Sequence, residues 1–575
     1  MVDPVSILKQ FWGYESFRPG QREVIDSVLN GRDTLALMPT GGGKSITFQV
    51  PALAQPGICL VISPLVALMK DQVAHLIRRG IRAAFISSEM SHNDIIQQLE
   101  NCILGDYKFL YISPERISSD LFQAKLVALK DKVNLLVVDE AHCISQWGND
   151  FRQDYRLIAD IRDSIPKVSV IAVTASATPA VVADICEQLH FRKGYQVYQS
   201  AFERPNLSYV VRETTDKLKE ICHILTSVQG SAIVYCRTRI AVEQYARELK
   251  KAGISTDFFH AGLEACTKTE RQQAWQKGTT RVLVATNAFG MGIDKGDVRV
   301  VIHTDFPDSI EAYYQEAGRA GRDGKRSYAV ALLEPRDITS IKQRPSNAFP
   351  SLEYIQRVYD GICNRFQIAE GDGEGVVAYL DEAEFVKNWH LDLRRLRTSL
   401  TILSLSGYFK YEPYPNTQPY IRCYLPRESL NEFLRSDSPA AQLAEQILRN
   451  YTGVFSDGCF ISIERMASKT GMEPQQVEKV LGYLRNVGFH YVPARKEPRI
   501  TFLRLRVPSE KLAITEASYG QRRQALEARI KEVVHYLQTD ECRQAFISRY
   551  FGVESKACGY CDNCLKQRKT QKANG

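Results

Sequence analysis

The chemistry-bearing residues of this chain fall into four clusters. The first is Met38-Pro39-Thr40-Gly41-Gly42-Gly43-Lys44-Ser45. Glycines lack Cβ, so a backbone rich in them can wrap closely and point its N–H groups at phosphate oxygens. Lys44 can reach the β- and γ-phosphates of a nucleotide, and the Ser45 hydroxyl can ligate Mg²⁺. Thr40, Gly41, Gly42, Gly43, Lys44 and Ser45 are therefore nucleotide-binding candidates. Met38 departs from the strict spacing, which asks for glycine there. The second cluster is Asp139-Glu140-Ala141-His142. One acid of such a pair can hold Mg²⁺ and the other can orient or deprotonate an attacking water, roles that fit Asp139 and Glu140 respectively.

The third cluster is Gln315-Glu316-Ala317-Gly318-Arg319-Ala320-Gly321-Arg322. Two arginines three apart share one helical turn and can reach across a cleft to a γ-phosphate as arginine fingers. Taken as a bare motif, the cluster reads first as a solvated basic helix end. Gln315, Arg319 and Arg322 join Lys44, Asp139 and Glu140 as the catalytic candidates. The fourth cluster is Cys542 with Cys558-x-x-Cys561-x-x-Cys564, whose four thiolates match tetrahedral Zn²⁺. An iron–sulfur cluster is the competing occupant.

Smaller signals surround these. Gln21 can read an adenine edge, and Arg18 can stack on a base. Ser63 and Ser113 each precede a proline just past a strand end, where ligand contacts gather; Ser63 is assigned to a nucleic-acid phosphate. Trp147, Phe151 and Arg152 follow the acid pair in one loop, suited to stacking on unpaired bases.

The elements that position these residues follow from apolar runs. Asp33–Leu37, Cys59–Ser63, Phe109–Ile112, Val133–Val138 and Val168–Val173 read as buried strands, with helical segments such as Leu65–Arg79 between them. That alternation predicts an α/β architecture with a parallel sheet. A second alternating region, without a second phosphate loop, begins near Glu203 and includes Ala232–Cys236, Val282–Thr286 and Val300–His303. Prolines at 335, 345 and 350 mark a linker. Beyond it two stretches repeat at a constant offset of 81 residues, Leu400 against Leu481, Leu403 against Leu484 and Gly407 against Gly488. Each carries a short helix, a turn, a longer amphipathic helix and a Gly-aromatic step into a strand, the outline of a winged-helix module.

Composition sets the bounds. A chain of 575 residues is several domains, and 44% hydrophobic with 24% charged residues is ordinary for a folded protein. The net charge of +8 suits a polyanionic partner. No secretory or membrane-spanning run is legible, so the expectation is a cytoplasmic, nucleoid-associated monomer, or a nuclear one if the source is eukaryotic. Of 14 cysteines only the last four cluster, which argues for a reducing compartment and one metal site.

The order of Phe17-Arg18-Pro19-Gly20-Gln21, Thr40–Ser45, Asp139–His142, Ser145-Gln146-Trp147-Gly148, Gly290-Met291-Gly292-Ile293-Asp294 and Gln315–Arg322 resembles the RecQ family of superfamily 2 helicases. Arg549-Tyr550-Phe551-Gly552 resembles the helical part of that family's zinc module. The resemblance departs at Asn149, commonly His, and Gln153, commonly Pro. It implies two RecA-like P-loop lobes with ATP and Mg²⁺ between them, Asp294 near the nucleotide, and 3′-to-5′ movement on DNA, single-stranded and at duplex junctions, in repair and recombination. The expected domains are lobe 1 at 1–202, lobe 2 at 203–335 and a linker at 336–351. Two winged-helix-like α+β modules follow at 352–430 and 431–508, then a helical zinc-binding module at 509–566 and a basic tail at 567–575. In the familiar order the zinc module follows the motor directly, whereas here it is displaced to the C-terminus. The competing functions are an RNA-directed motor of the same superfamily and a non-enzymatic winged-helix DNA-binding protein.

Overall fold

Apolar runs bounded by glycine, proline and polar turns account for most strands of the fold. The computed structural model describes residues 3–39, 41–87, 90, 92–145, 153–200, 203–290, 295–413, 418–451, 453–455, 458–494, 497–514 and 519–574. The chain forms two compact units, Met1–Pro345 with Gln524–Gly575, and Ser346–Arg523.

The first unit holds two RecA-like lobes. Lobe 1 contains β1 (Thr34–Leu37), β2 (Ile58–Ile62), β3 (Ala83–Ile86), β4 (Phe109–Ile112), β5 (Val133–Val138), β6 (Ser169–Thr174) and β7 (Gln196–Gln199). They form one sheet in the order β3-β4-β2-β5-β6-β1-β7, and every pair is parallel. Side chains alternate between two buried faces: Ile58, Leu60 and Ile62 enter one core, Cys59 and Val61 the other. A strand buried on both sides has no polar face to show, so it reads as a continuous apolar run. β3 lacked that signature, because Ala83-Ala84-Phe85-Ile86 is short and half alanine. β7 is an edge strand and alternates half-buried with exposed residues.

Lobe 2 contains β8 (Leu207–Glu213), β9 (Ser231–Tyr235), β10 (Thr256–Phe259), β11 (Val282–Ala285), β12 (Val298–His303) and β13 (Ser327–Leu333). Their order is β10-β11-β9-β12-β13-β8, again parallel throughout. The C-terminal segment folds onto this lobe. Ile530, Val533, Tyr536 and Leu537 of the helix Gln521–Gln538, with Phe546, Ile547 and Phe551 beyond it, share one core with Leu207, Tyr209 and Tyr313. The helical periodicity of Ile530, Val533 and Leu537 anticipates this packing.

The second unit is α+β, and its topology corrects the expected boundary between residues 430 and 431. β14 (Val377–Tyr379) and β15 (Phe409–Glu412) both pair with β19 (Arg499–Phe502), antiparallel, in a sheet of order β14-β19-β15. Between β15 and β19 the chain makes a second sheet of order β17-β16-β18 from β16 (Tyr420–Cys423), β17 (Cys459–Phe460) and β18 (Phe489–Val492). The second module is thus nested within the wing connection of the first. β15 and β19 are antiparallel neighbours, so their connection can be a short turn or a whole module whose ends lie close together.

Three further segments take on structure of their own. The stretch expected as a linker, 336–351, is largely helical over Asp337–Lys342 and Arg344–Ala348. The first residues of the expected zinc module, which begins at 509, pack elsewhere: Leu512, Ile514 and Tyr519 lie on the core of the first winged-helix-like module with Ile355, Tyr359 and Tyr408. The expected basic tail at 567–575 is, to residue 574, the continuation of the helix Asp562–Asn574.

Candidate nucleotide-binding cleft and cysteine cluster

Strand β1 ends at Leu37, and the phosphate loop follows. Met38 is buried, its N–H donating to Thr174 O at 3.0 Å and its side chain packed with Val24 and Phe48. The departure from glycine is therefore a core residue placed before the loop turns. Gly43 has φ of 79°, and a Cβ there would lie 2.4 Å from Gln21 Nε2, so only glycine fits. Lys44 opens the helix Lys44–Leu53, whose N-terminus points free N–H groups at the loop. Thr40 lies outside the described residues.

Gln21 and Arg18 hold this loop. Gln21 Nε2 donates to Gly43 O at 3.0 Å and Gly42 O at 3.3 Å, and its Oε1 accepts the Arg18 N–H at 2.9 Å. Arg18 Nη1 donates to Gly41 O at 2.6 Å. The expected partners were an adenine edge and ring; here the amide and guanidinium are engaged by the loop's own carbonyls.

Asp139 extends β5, its N–H donating to Ile62 O at 2.9 Å. Ser63, expected at a nucleic-acid phosphate, has its hydroxyl engaged by the acid pair. It is 1% exposed and donates its hydroxyl to Asp139 Oδ2 at 3.2 Å. β2 and β5 are parallel neighbours with Ile62 opposite Val138, so the residues just past their ends meet. Glu140 sits at φ of 47°, a left-handed conformation uncommon for a residue with a side chain. It faces Lys44 Nζ at 3.8 Å and His142 Nδ1 at 3.4 Å, and His142 Nδ1 also lies 2.9 Å from Thr174 Oγ1.

The two acids titrate in opposite directions. Burial, then the neighbouring charge of Glu140, pushes Asp139 up to about 6. Burial would raise Glu140 as well, but Lys44, His142 and Arg319 together hold it below the usual carboxylate range. Glu140 is thereby kept an anion, as a base must be. Ser45 and Asp139 line the same cavity, and their hydroxyl and carboxylate oxygens form a hard donor set that fits Mg²⁺.

Lobe 2 brings the third cluster to this cavity, whose volume is about 1130 Å³. Gln315 Nε2 donates to Ser176 Oγ of lobe 1 at 2.8 Å. Arg319 is 7% exposed and donates to Gly290 O. Arg322 lies beside the phosphate loop: a Cβ on Gly41 would be 3.3 Å from its Cγ. Arg204 and Asn206, which carried no sequence signal beyond a turn near Pro205, also shape this segment. Arg204 donates to the carbonyls of Gly318, Ala320 and Gly321 at 3.2, 2.8 and 3.1 Å, and Asn206 to Gly321 O at 2.7 Å. Tyr155, likewise unforeseen, is buried with its hydroxyl on Asp139 O at 2.9 Å. Asp294, Trp147, Phe151 and Arg152 lie outside the described residues.

The four cysteine sulfurs of Cys542, Cys558, Cys561 and Cys564 lie within 4.8 Å of one another. Zn–S bonds of about 2.3 Å place the sulfurs of a tetrahedral site about 3.8 Å apart, so the cluster closes on a zinc ion with little movement. Cys542 Sγ accepts the N–H of Cys558 at 3.2 Å, and Cys558 Sγ accepts those of Tyr560 and Cys561 at 3.4 and 3.3 Å. The thiols share protons among themselves: hydrogen bonds from Cys558 and Cys561 lower Cys542, and the same contacts raise Cys558 and Cys561. Asp562 anchors the cluster to lobe 2, accepting from Val211 N of β8 at 2.8 Å and pairing with Arg543 at 3.0 Å.

Comparison with known proteins agrees with this geometry. A DEAD/DEAH box helicase model matches residues 18–185, and a helicase conserved C-terminal domain matches 216–324. A RecQ helicase winged-helix domain of Bacteroidota matches 421–490, and a RecQ zinc-binding model matches 508–565. The zinc match selects zinc over the iron–sulfur alternative for the four thiolates. The ATP-dependent DNA helicase RecQ of Haemophilus influenzae is 44% identical over 340 residues, 59% of this chain and 54% of that protein. The RecQ of Bacillus subtilis is 45% identical over 336 residues, 58% of this chain and 56% of that protein. The chain thus spans about half the length of these two relatives. The probable ATP-dependent DNA helicase RecS of Bacillus subtilis is 41% identical over 341 residues, 58% of this chain and 68% of that protein. Among solved structures, the DUF1998 helicase MrfA bound to DNA shares the fold, with a TM-score of 0.50 and 20% identity over 59% of this chain and 52% of that one. With both lobes, the cleft between them and the zinc cluster matched in chain order, this protein belongs to the RecQ family of helicases.

Proposed function

We propose that this chain is an ATP-hydrolysing DNA helicase that moves 3′ to 5′ and separates duplex DNA in repair and recombination. The observation that carries the reading is the cleft in which Lys44 and Glu140 of lobe 1 face Arg319 and Arg322 of lobe 2. Lys44 and the loop N–H groups bind the β- and γ-phosphates. Ser45 and Asp139 would hold Mg²⁺, which would neutralise charge developing on the phosphates. Glu140, held ionised by Lys44, His142 and Arg319, orients the attacking water and takes its proton. Arg322, beside the loop, meets the γ-phosphate charge. Arg319 is buried on Gly290 O and fixes the turn from which Arg322 projects.

Two contacts suit coupling to the nucleic acid. His142 touches Thr174 at the end of β6, and Gln315 touches Ser176 two residues on. Any change at the γ-phosphate that moves lobe 2 is felt there. Trp147, Phe151 and Arg152 follow Glu140 closely in the chain, which is why we assign them to unpaired bases. Among the described residues no helix is long and apolar enough to cross a membrane. A monomer acting in the bacterial cytoplasm is the corresponding proposal.

Turnover of ATP with single-stranded DNA, duplex DNA and RNA, side by side with strand separation on 3′- and 5′-tailed duplexes, tests the reading. Stimulation by DNA and opening of the 3′-tailed substrate are expected. Stimulation by RNA alone would favour the RNA-directed motor, and DNA binding without turnover would favour a non-enzymatic winged-helix protein.

A further inference from the structure

The nested topology separates two helices that occupy equivalent places, Leu393–Leu405 in the outer module and Pro474–Leu484 in the inner one. The matched RecQ winged-helix model covers the inner module and stops short of the outer one. The two helices differ in charge. Leu393–Leu405 carries Arg394, Arg395 and Arg397 and no acid, whereas Pro474–Leu484 carries one lysine, Lys479, against one glutamate, Glu478.

We propose that the outer module, through the helix Leu393–Leu405 and the groove beside it, is the chain's duplex-DNA-binding surface, and that the inner helix is not. The proposal deepens the helicase reading and rests on it for DNA as the ligand. The groove has a volume of about 960 Å³ and is bordered by Arg394, Arg395, Arg397 and Arg522. Its one carboxylate, Asp392, caps the helix by accepting the Arg395 N–H at 2.9 Å. Arg397 is tied to Glu382 at 2.5 Å, and Arg395 touches Asn347 Oδ1 at 3.3 Å, so both are held in place. Arg394 is exposed at the start of a stripe that continues through Thr398, Thr401 and Leu405 at helical spacing. The two threonines turn their hydroxyls back to Arg394 O and Arg397 O at 3.1 and 2.8 Å, leaving a low, uncharged ridge beside the arginines. A helix of about 10–12 Å diameter fits the roughly 12 Å major groove of B-form DNA. Guanidinium groups at its start then reach the flanking phosphates. A single strand offers no groove for such a ridge.

The test is the salt dependence of duplex binding by the full, zinc-loaded chain. Each lost phosphate contact flattens the slope of log affinity against log salt by about 0.9, so Arg394→Gln/Arg395→Gln should flatten it by about 2, while Lys479→Gln should leave it unchanged. Thr401→Glu, which keeps the arginines but sets a carboxylate on the ridge, should also weaken duplex binding and guards against misfolding of the double variant. A parental slope in Arg394→Gln/Arg395→Gln, with Thr401→Glu binding normally, overturns the surface. A slope change in Lys479→Gln as large per charge overturns the exclusion of the inner helix. Parental ATP turnover measured with and without DNA keeps the two readings apart: no stimulation there counts against the helicase, not against this surface.

Discussion

At the scale of single residues, the cleft divides its labour by electrostatics. Lys44, His142 and Arg319 hold Glu140 below the usual carboxylate range, which suits the role of base proposed for it. Glu140→Gln should bind ATP with near-parental affinity yet fail to cleave it, as read by nucleotide affinity and by single-turnover hydrolysis. Arg322→Ala should lower turnover by about 10³–10⁵, the span for an arginine finger, with little change in the affinity for ADP. Asp33, immediately before β1, shows the same logic in a structural role. It is 1% exposed and accepts from Val170 N at 2.9 Å, Arg192 Nη2 at 2.7 Å and Arg162 Nη2 at 3.3 Å. Burial would raise its pKa, but Arg192, the Val170 N–H and Arg162 overcome that and hold it below 3.8. A carboxylate lowered in the folded state adds stability that is complete above its unfolded pKa and is lost as pH falls through the folded one. Asp33→Asn should therefore cost about 3–5 kcal/mol at neutral pH, since Arg162 is left buried without its anion. Urea denaturation should show that penalty shrinking in acid, where the parental Asp33 itself protonates.

At the scale of elements, the zinc module is part of lobe 2's core rather than an appendage. Tyr536 packs against Tyr313 with ring centres 5.3 Å apart and planes tilted by 51°, Phe551 lies 5.3 Å from Tyr314, and Tyr550 donates to Glu311 at 2.9 Å. All three partners belong to the helix Ile310–Ala317, which leads directly into Arg319 and Arg322. The module also touches lobe 1, where Gln199 Nε2 donates to Phe551 O at 2.8 Å. Zinc binding contributes about 10–16 kcal/mol to folding in model peptides, so the cluster secures this packing. Cys561→Ser should lose the metal, read by elemental analysis, and should make the segment from Gln524 onward sensitive to protease. Because the same segment supports the helix Ile310–Ala317 that leads into Arg319 and Arg322, ATP turnover should fall along with the zinc.

At the scale of the whole molecule, the chain leaves the first unit at Pro345 and re-enters it at Gln524. Pro345 and Glu527 line one groove, so the departing and returning segments lie side by side within the first unit. That proximity makes the second unit removable. Deleting 346–523 across a short glycine-serine bridge should leave a folded, zinc-loaded motor with ATP turnover stimulated by single strands, while duplex affinity and strand separation fall. Loss of single-strand stimulation in such a folded deletion would mean that the second unit belongs to the motor.

The sequence by itself determined the local chemistry. Phosphate loop, acid pair, arginine segment and cysteine spacing are short-range patterns, and a few consecutive residues state their geometry. The parallel strands were legible because burial on both faces forces an unbroken apolar run, which is why β2 and β5 could be read and the alanine-rich β3 and polar edge β7 could not. Tertiary structure alone decided what depends on pairing over long distances. Ser63 is a partner of Asp139 only because β2 and β5 are neighbours. Arg204 orients the arginine segment across more than a hundred residues of chain, which no local pattern records. The repeat at 81 residues announced two similar modules, but their nesting rests on β19 returning to pair with β14 and β15. Hydrogen bonds between strands carry no mark in the sequence of which strand they will choose, so that part of the architecture exists only once the chain has folded.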